Sequence, residues 1–200
     1  MKKAIKSMVM VIVVAGLAFL YSHIEKNVYL YDRHSELESY VQTGVLLEGE
    51  TISQTFSSKE EVLNGINLKS MVVGPPENVV LEYTITDNET GEATTETVQG
   101  TEIKSNKFNK YTFPEISNAK GREYTLTLKE TGTNVNEGIS FYVDTTENKE
   151  GTLTIRENET EGTLVVRLIS HRFDTETFIV LLGFIAFIVV FIKVLYKLFK

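Results

Sequence analysis

An uncharged apolar run near each end of this 200-residue chain limits what the rest of it can become. From Met8 to Tyr21 the sequence reads MVMVIVVAGLAFLY, and Ala4 and Ile5 extend it backwards past Lys6. From Phe178 to Ile192 it reads FIVLLGFIAFIVVFI, continued by Val194, Leu195, Tyr196, Leu198 and Phe199. A helix needs roughly 20 such residues to cross about 30 Å of hydrocarbon, so the first run lies at the short edge of a span. Lys193 interrupts the second, but near a helix end a lysine snorkels its ammonium to the headgroups. The competing reading of the first run is a cleaved signal peptide with Gly16 and Ala18 before the cut. Phe19, Leu20 and Tyr21 carry the apolar run through that point, so a signal anchor is expected instead. Lys2, Lys3 and Lys6 flank one run and Lys193, Lys197 and Lys200 the other, whereas Asp174 and Glu176 precede the second. Lysines mark the cytoplasmic side, which predicts both termini inside and the middle of the chain outside. Ala15, Gly16, Ala18, Gly183 and Ala186 would permit close helix packing, but such residues are ordinary in membrane helices.

Charge divides along the same lines. The net charge is −7, and taking away the six terminal lysines leaves −13 for residues 7–192. So acidic a middle argues against nucleic acid and against anionic lipid headgroups as its partners. There is no cysteine, which excludes a disulfide framework, a thiolate metal site and a cysteine nucleophile.

Between the runs the apolar period changes to two. Val79, Leu81, Tyr83 and Ile85 alternate with polar or Thr positions, as do Tyr124, Leu126 and Leu128. Ile139, Phe141 and Val143 follow, then Leu153 and Ile155, then Leu164, Val166 and Leu168. Earlier strands are expected at Ile52–Phe56 and Ile66–Leu68, and another at Phe108–Phe113, ended by Pro114. Asn88, Gly91, Gly132, Asn148, Gly151 and Gly162 supply turns between them. Eight or nine short strands, each with one wet face, predict antiparallel sheets packed as a sandwich. A helix at Ser35–Gln42 and a turn around Lys59–Leu63 are the exceptions. The expected organisation is residues 1–23 as the first membrane segment, 24–44 as a stalk, 45–173 as the sandwich and 174–200 as the second membrane segment.

The succession ETISQTF (50–56), LNGINLKSMVVG (63–74), VLEYTITDNETGE (80–92), NKYTFPEISNAKGREYTLTLKET (109–131) and GISFYV (138–143) carries a resemblance. It is similar to a galactose-binding-like jelly-roll module in the outer parts of multispan glycosyltransferases and other surface-glycan membrane proteins of Gram-positive bacteria. The likeness runs from about Val45 to Ser170, and its motifs shape turns and core rather than chemistry. It implies an all-β fold, a jelly-roll β-sandwich flanked by two transmembrane α-helices, and a glycan-related role. Within these 200 residues the module is expected to stand alone, without the multispan enzyme of that family.

Catalytic patterns are lacking. His23, His34 and His171 show no HxH or HExxH spacing and read as polar groups near the membrane rather than ligands. Glu60–Glu61, Asp87–Glu89 and Glu157–Glu159–Glu161 pair carboxylates in polar turns, where both members stay ionised. Asp87 and Glu89, with Asn88, offer oxygen ligands for a structural calcium, against the plainer reading of a hairpin turn. No GxSxG and no phosphate-binding glycine loop occurs. Asn88 and Asn158 head N-glycosylation sequons, which matter only in a eukaryotic secretory pathway. Sugars stack on aromatic rings, yet the chain has no tryptophan. Tyr29, Tyr31 and Tyr40 fall in the expected stalk, Tyr142 should point outward if Phe141 points in, and Tyr111 is open to either assignment.

These features predict a non-catalytic membrane-anchored module outside the cell that supports surface-glycan assembly. It would bind carbohydrate or dock onto a membrane glycosyltransferase, with neutral or amine-bearing sugars favoured over anionic polymers by the −13 charge. The alternative is a structural or signalling subunit of a membrane complex that binds no sugar.

Overall fold

The structure, a computed structural model, describes residues 2–32, 34, 40–146 and 151–199, and the side chains of the first helix only at Val9 and from Val11 onward. It divides into two units, Lys26–Ser170 and the two chain ends joined as Met1–Glu25 with His171–Lys200.

The larger unit is built almost wholly of strands. In chain order they are β1 (His23–Tyr29), β2 (Tyr40–Val45), β3 (Thr51–Ser57), β4 (Val62–Val73), β5 (Val80–Asp87), β6 (Ala93–Gln99) and β7 (Lys107–Ser117). There follow β8 (Glu123–Thr131), β9 (Gly138–Asp144), β10 (Leu153–Ile155), β11 (Asn158–Thr160), β12 (Thr163–Leu164) and β13 (Val166–Phe173). One sheet runs β11-β10-β3-β8-β5-β6, and the other runs β1-β13-β4-β9-β12 with β2 added to β9 and β7 to β4. Every pairing whose register is defined is antiparallel.

The expected alternation is visible residue by residue. Leu81, Tyr83 and Ile85 of β5 and Tyr124, Leu126 and Leu128 of β8 are buried, with their neighbours half exposed. From the opposite sheet Leu63, Ile66, Leu68, Phe141, Val166 and Leu168 meet them in one core. Buried Gln54 ties the sheets together at the motif glutamine. Its Oε1 accepts the Leu164 N–H at 3.1 Å, and its Nε2 donates to the Thr55 and Thr152 carbonyls at 3.0 and 3.3 Å. A buried amide so satisfied specifies one register rather than costing stability.

Four expectations change. Residues 24–44 are not a free stalk, because β1 and β2 within them are strands of the larger sheet. Their sequences, HIEKNVY and YVQTGV, are polar and unperiodic, and their burial alternates only in part and is nowhere complete. The helix expected at Ser35–Gln42 lies outside the described residues except for Tyr40–Gln42, which belong to β2, and the turn residue Asn148 also lies outside them. Strand β7 does not stop at Pro114. Its hydrogen-bonded partner is β4 alone, and an edge strand accommodates a proline that would break a central one.

The fourth change concerns the membrane segments. Helix α1 covers Lys2–Tyr21 and α2 covers Thr175–Leu198. Among the described residues only α2 is long and apolar enough to cross a membrane, and the apolar stretch of α1 that they include, Val11–Tyr21, is shorter. The 24 residues of α2 rise about 36 Å, enough for the hydrocarbon core. No residue of α2 is buried, and Ile179, Phe184 and Phe187 are each roughly 60% exposed. Its N-cap Asp174 accepts the Thr177 N–H at 2.9 Å. Glu176 in the first turn and Lys197 in the last both suit the helix dipole. Gly16 and Gly183 have no atom of the described residues within 4 Å of an added Cβ, so neither is a close-packing point among them.

Candidate functional site

The outward-facing positions of the larger sheet hold a cluster that the sequence left scattered. On β4 the buried residues Ile66, Leu68 and Ser70 alternate with Asn67, Lys69 and Met71, which point away from the core. Phe108 on β7 lies directly opposite Lys69, and Arg167 on β13 lies opposite Asn67. Lys69 and Arg167 therefore occupy diagonal positions on neighbouring strands, about 7–8 Å apart along the backbone.

Rings hold both cations. The Arg167 guanidinium carbon sits 3.6 Å from the Phe108 ring centroid and 4.7 Å from that of Tyr29. Its Nε and Nη2 donate to the Tyr31 hydroxyl at 3.4 and 3.3 Å. The Lys69 ammonium lies 4.7 Å from the Tyr142 centroid and 5.1 Å from that of Tyr40. Tyr31 joins the two halves, with its ring 5.5 Å from Tyr29, 6.0 Å from Tyr40 and 6.4 Å from Phe108. Burial raises the Tyr31 hydroxyl above its ordinary pKa, against the pull of Arg167, so it stays a neutral hydroxyl. At the rim, Tyr142 donates to Asn106 Oδ1 at 2.5 Å, and Gln42 Nε2 lies 3.3 Å from the Met71 sulfur. Cation–π contacts of this kind contribute about 0.5–2 kcal/mol each, more as water is excluded. Neither Lys69 nor Arg167 has a carboxylate partner among the described residues. In a unit this acidic, that is unusual.

Tyr142 does point outward, and Tyr111 is in the core at 3% exposure, its hydroxyl pushed up to about 12 by burial. Tyr29, Tyr31 and Tyr40 leave the expected stalk and join the cluster.

The residues suggested for calcium meet a different cation. Asp87 Oδ1 accepts the N–H groups of Glu89 and Thr90 at 2.9 and 3.1 Å, and its Oδ2 pairs with Arg122 Nη2 at 2.8 Å. Glu89 Oε2 also faces Arg122, at 3.4 Å from Nε. Burial alone would raise the Asp87 carboxyl, but the Thr90 and Glu89 N–H groups and the Arg122 guanidinium outweigh it, so its pKa falls below the usual range. One oxygen of each carboxylate suggested for calcium, Asp87 Oδ2 and Glu89 Oε2, thus faces the Arg122 guanidinium. No group of three or more His, Asp or Glu among the described residues could hold a metal.

The other candidates disperse. His171 Nε2 lies 3.2 Å from Glu25, and His23 Nδ1 lies 2.9 Å from the Phe19 carbonyl. The backbone N–H of His34 donates to Asp32. Glu60 pairs with Lys26, and Glu61 lies 3.7 Å from Lys120. Glu159 and Glu161 line a depression of about 510 Å³ beside the β10–β11 hairpin, with no aromatic ring among the described residues of its wall.

One ionisable group went unread. Glu130 is fully buried on the core side of β8, and burial pushes its carboxyl up to about 8 against the N–H groups of Ile139 and Leu46 and the Arg156 charge. Oε2 accepts the Ile139 N–H at 2.8 Å, while Oε1 has no hydrogen-bond partner among the described residues. The signal was present, since Glu130 continues the inward series Tyr124, Leu126, Leu128. It reaches no solvent and so meets no substrate.

No protein-family model matches the chain, and no curated protein matches it significantly.

Proposed function

We propose that this chain is a membrane-anchored jelly-roll module of the cell envelope that binds carbohydrate on the outer face of its larger sheet. The observation that carries the reading is the ring cluster of Tyr29, Tyr31, Tyr40, Phe108 and Tyr142 around Lys69 and Arg167. Tyrosine rings offer sugars an apolar face and a hydroxyl together, and the rims of such sites supply amides such as Gln42 and Asn106. The exposed apolar helix α2 supports the anchor, and the lysines flanking both apolar runs support a topology with both termini cytoplasmic and the sheets outside. The jelly-roll assignment draws on two facing antiparallel sheets and on the resemblance to surface-glycan modules.

The test uses the full chain in nanodiscs, applied to an array of envelope oligosaccharides, beside a variant carrying Tyr142→Ala and Tyr29→Ala. Retention of one glycan class that the double variant loses is the expected result. Silence across the array, with co-purification of a membrane glycosyltransferase from native membranes, would replace sugar binding with docking. Topology is checked separately. Single cysteines at Ser57 and Thr133 should react with an impermeant maleimide on intact cells, and one at Ser7 should not.

A further inference from the structure

We propose that the sugar taken by this face is acidic, with its carboxylate held by Arg167 and Lys69. The inference rests on the carbohydrate reading above and deepens it. It also reverses the expectation drawn from net charge, because a net charge averages over a surface and a ligand meets one patch of it.

Three observations on the larger sheet point the same way. First, the Arg167 guanidinium is fixed before any ligand arrives. Phe108 and Tyr29 lie against its plane, and the Tyr31 hydroxyl takes Nε and Nη2 along one edge. Nη1 makes no hydrogen bond among the described residues, so the end of the fork formed by Nη1 and Nη2 retains donors. That end matches the two oxygens of a carboxylate, and a planar fork held in place loses little entropy on pairing.

Second, Lys69 adds a positive charge on the diagonal position without a counter-ion among the described residues. Two cations kept together, neither paired with a carboxylate among the described residues, are complementary to an anion rather than to a neutral hydroxyl. Third, the surroundings suit a pyranose better than a bare ion. Tyr29, Tyr40 and Tyr142 remain partly exposed beside the cations, and Gln42 and Asn106 are exposed amides at the rim. A carboxylate on an extended polymer of sugars would use both parts, the fork for the charge and the rings for the CH faces. Elsewhere the acidic surface repels the rest of such a polymer, which limits binding to short or sparsely charged stretches and keeps the affinity modest.

The test compares an oligouronide with the same oligosaccharide after its carboxyls have been reduced to hydroxymethyl groups, titrated calorimetrically against the full chain in nanodiscs of zwitterionic lipid. The oligouronide is expected to bind at least tenfold more tightly than its reduced counterpart, and to weaken as salt is raised from 50 to 300 mM. Arg167→Lys keeps a charge but loses the fork, and should remove most of that preference. Lys69→Gln, an outward substitution, should weaken the oligouronide several-fold more than it weakens the reduced sugar. Melting temperatures equal to the parent's would confirm that both variants are folded. Equal binding of the two oligosaccharides would overturn the acidic-sugar inference while leaving the carbohydrate reading intact. Binding of neither would overturn both, and preference for a polyglutamate peptide over the oligouronide would reassign the face to acidic protein.

Discussion

Asp87 and Glu130 lie at opposite ends of the same β5–β8 ladder, where Asp87 faces Tyr124 and Glu130 faces Leu81. Both carboxyls are almost wholly removed from water, at 5% and 0% exposure. Their ionisation nevertheless moves in opposite directions. At one end a guanidinium and two N–H groups hold Asp87 as an anion, below its ordinary pKa. At the other, Glu130 has the Ile139 N–H on one oxygen and no partner for the second among the described residues, so it remains a neutral acid near pH 7. Burial therefore sets only the cost of a charge. What decides its state is whether a cation pairs with it directly: Arg122, just before β8, does so with Asp87, whereas Arg156, the charge nearest Glu130, is taken up by Glu50 and the Thr43 and Val45 carbonyls.

The largest effect that separates the two ends is their pH dependence. Glu130 has a folded pKa of about 8 against an ordinary 4.5, so between those values the folded chain holds a proton that the unfolded chain has released. Its stabilising contribution is therefore complete below pH 4.5 and lost as pH rises toward 8. At about 1.4 kcal/mol per pH decade the loss is on the order of 5 kcal/mol. Asp87 has the reverse sign. Its contribution is present above the ordinary carboxyl value of 3.8 and is lost only as pH falls through its depressed folded value. Thermal melts of the full chain in detergent, followed by the far-ultraviolet strand signal, should show stability declining from pH 4.5 to 8. Glu130→Gln should flatten the decline, and Asp87→Asn should leave it and alter only the acid limb. A slope that survives Glu130→Gln would assign the titration to another group and erase the contrast.

Packing gives a second, smaller separation. A Cβ on Gly138 would come within 2.3 Å of Val45 Cγ1 and 2.9 Å of Glu130 Oε2, so Gly138→Ala must push on the strand that supplies the Ile139 N–H. Overpacking of this kind costs about 1–3 kcal/mol. The melt of Gly138→Ala at pH 5, where Glu130 is protonated, measures it without the titration. If the loss is larger at pH 8 than at pH 5, relative to the parent, the carboxyl and the glycine act on the same contact.

Sequence made one end of this ladder far easier to read than the other. Asp87-Asn88-Glu89-Thr90-Gly91 advertises a hairpin through its residue types alone, and the carboxyl that caps the turn is the first of them. Its partner Arg122 is 35 positions away and carried no local signal. Glu130 was legible only by extending an apolar alternation onto a charged residue, against the general rule that charges face water. The ligand face was harder still. Lys69, Phe108, Tyr142 and Arg167 come from four strands, and strand order on a sheet is not written in the period of any one of them. The sandwich itself, by contrast, rests on local alternation and turn chemistry, which is why β3, β4, β5, β8, β9 and β13 emerged near their observed positions while the unperiodic β1 and β2 did not.

The smallest expected effect returns to the Asp87 end. Gly91 closes the hairpin with φ +75°, and its N–H donates to the Asp87 carbonyl at 2.8 Å. Nothing lies within 4 Å of a Cβ built there, so Gly91→Ala meets no atom and costs only the left-handed backbone, about 1 kcal/mol. Asparagine tolerates that conformation, so Gly91→Asn should recover most of the loss. The two glycines thus restate the contrast in steric form, with crowding beside Glu130 and open space beside Asp87. Melts of the two Gly91 variants at pH 6 test it. A loss from Gly91→Ala matching that of Gly138→Ala, with no recovery in Gly91→Asn, would mean that the Asp87 turn is packed and that the asymmetry of the ladder is one of charge alone.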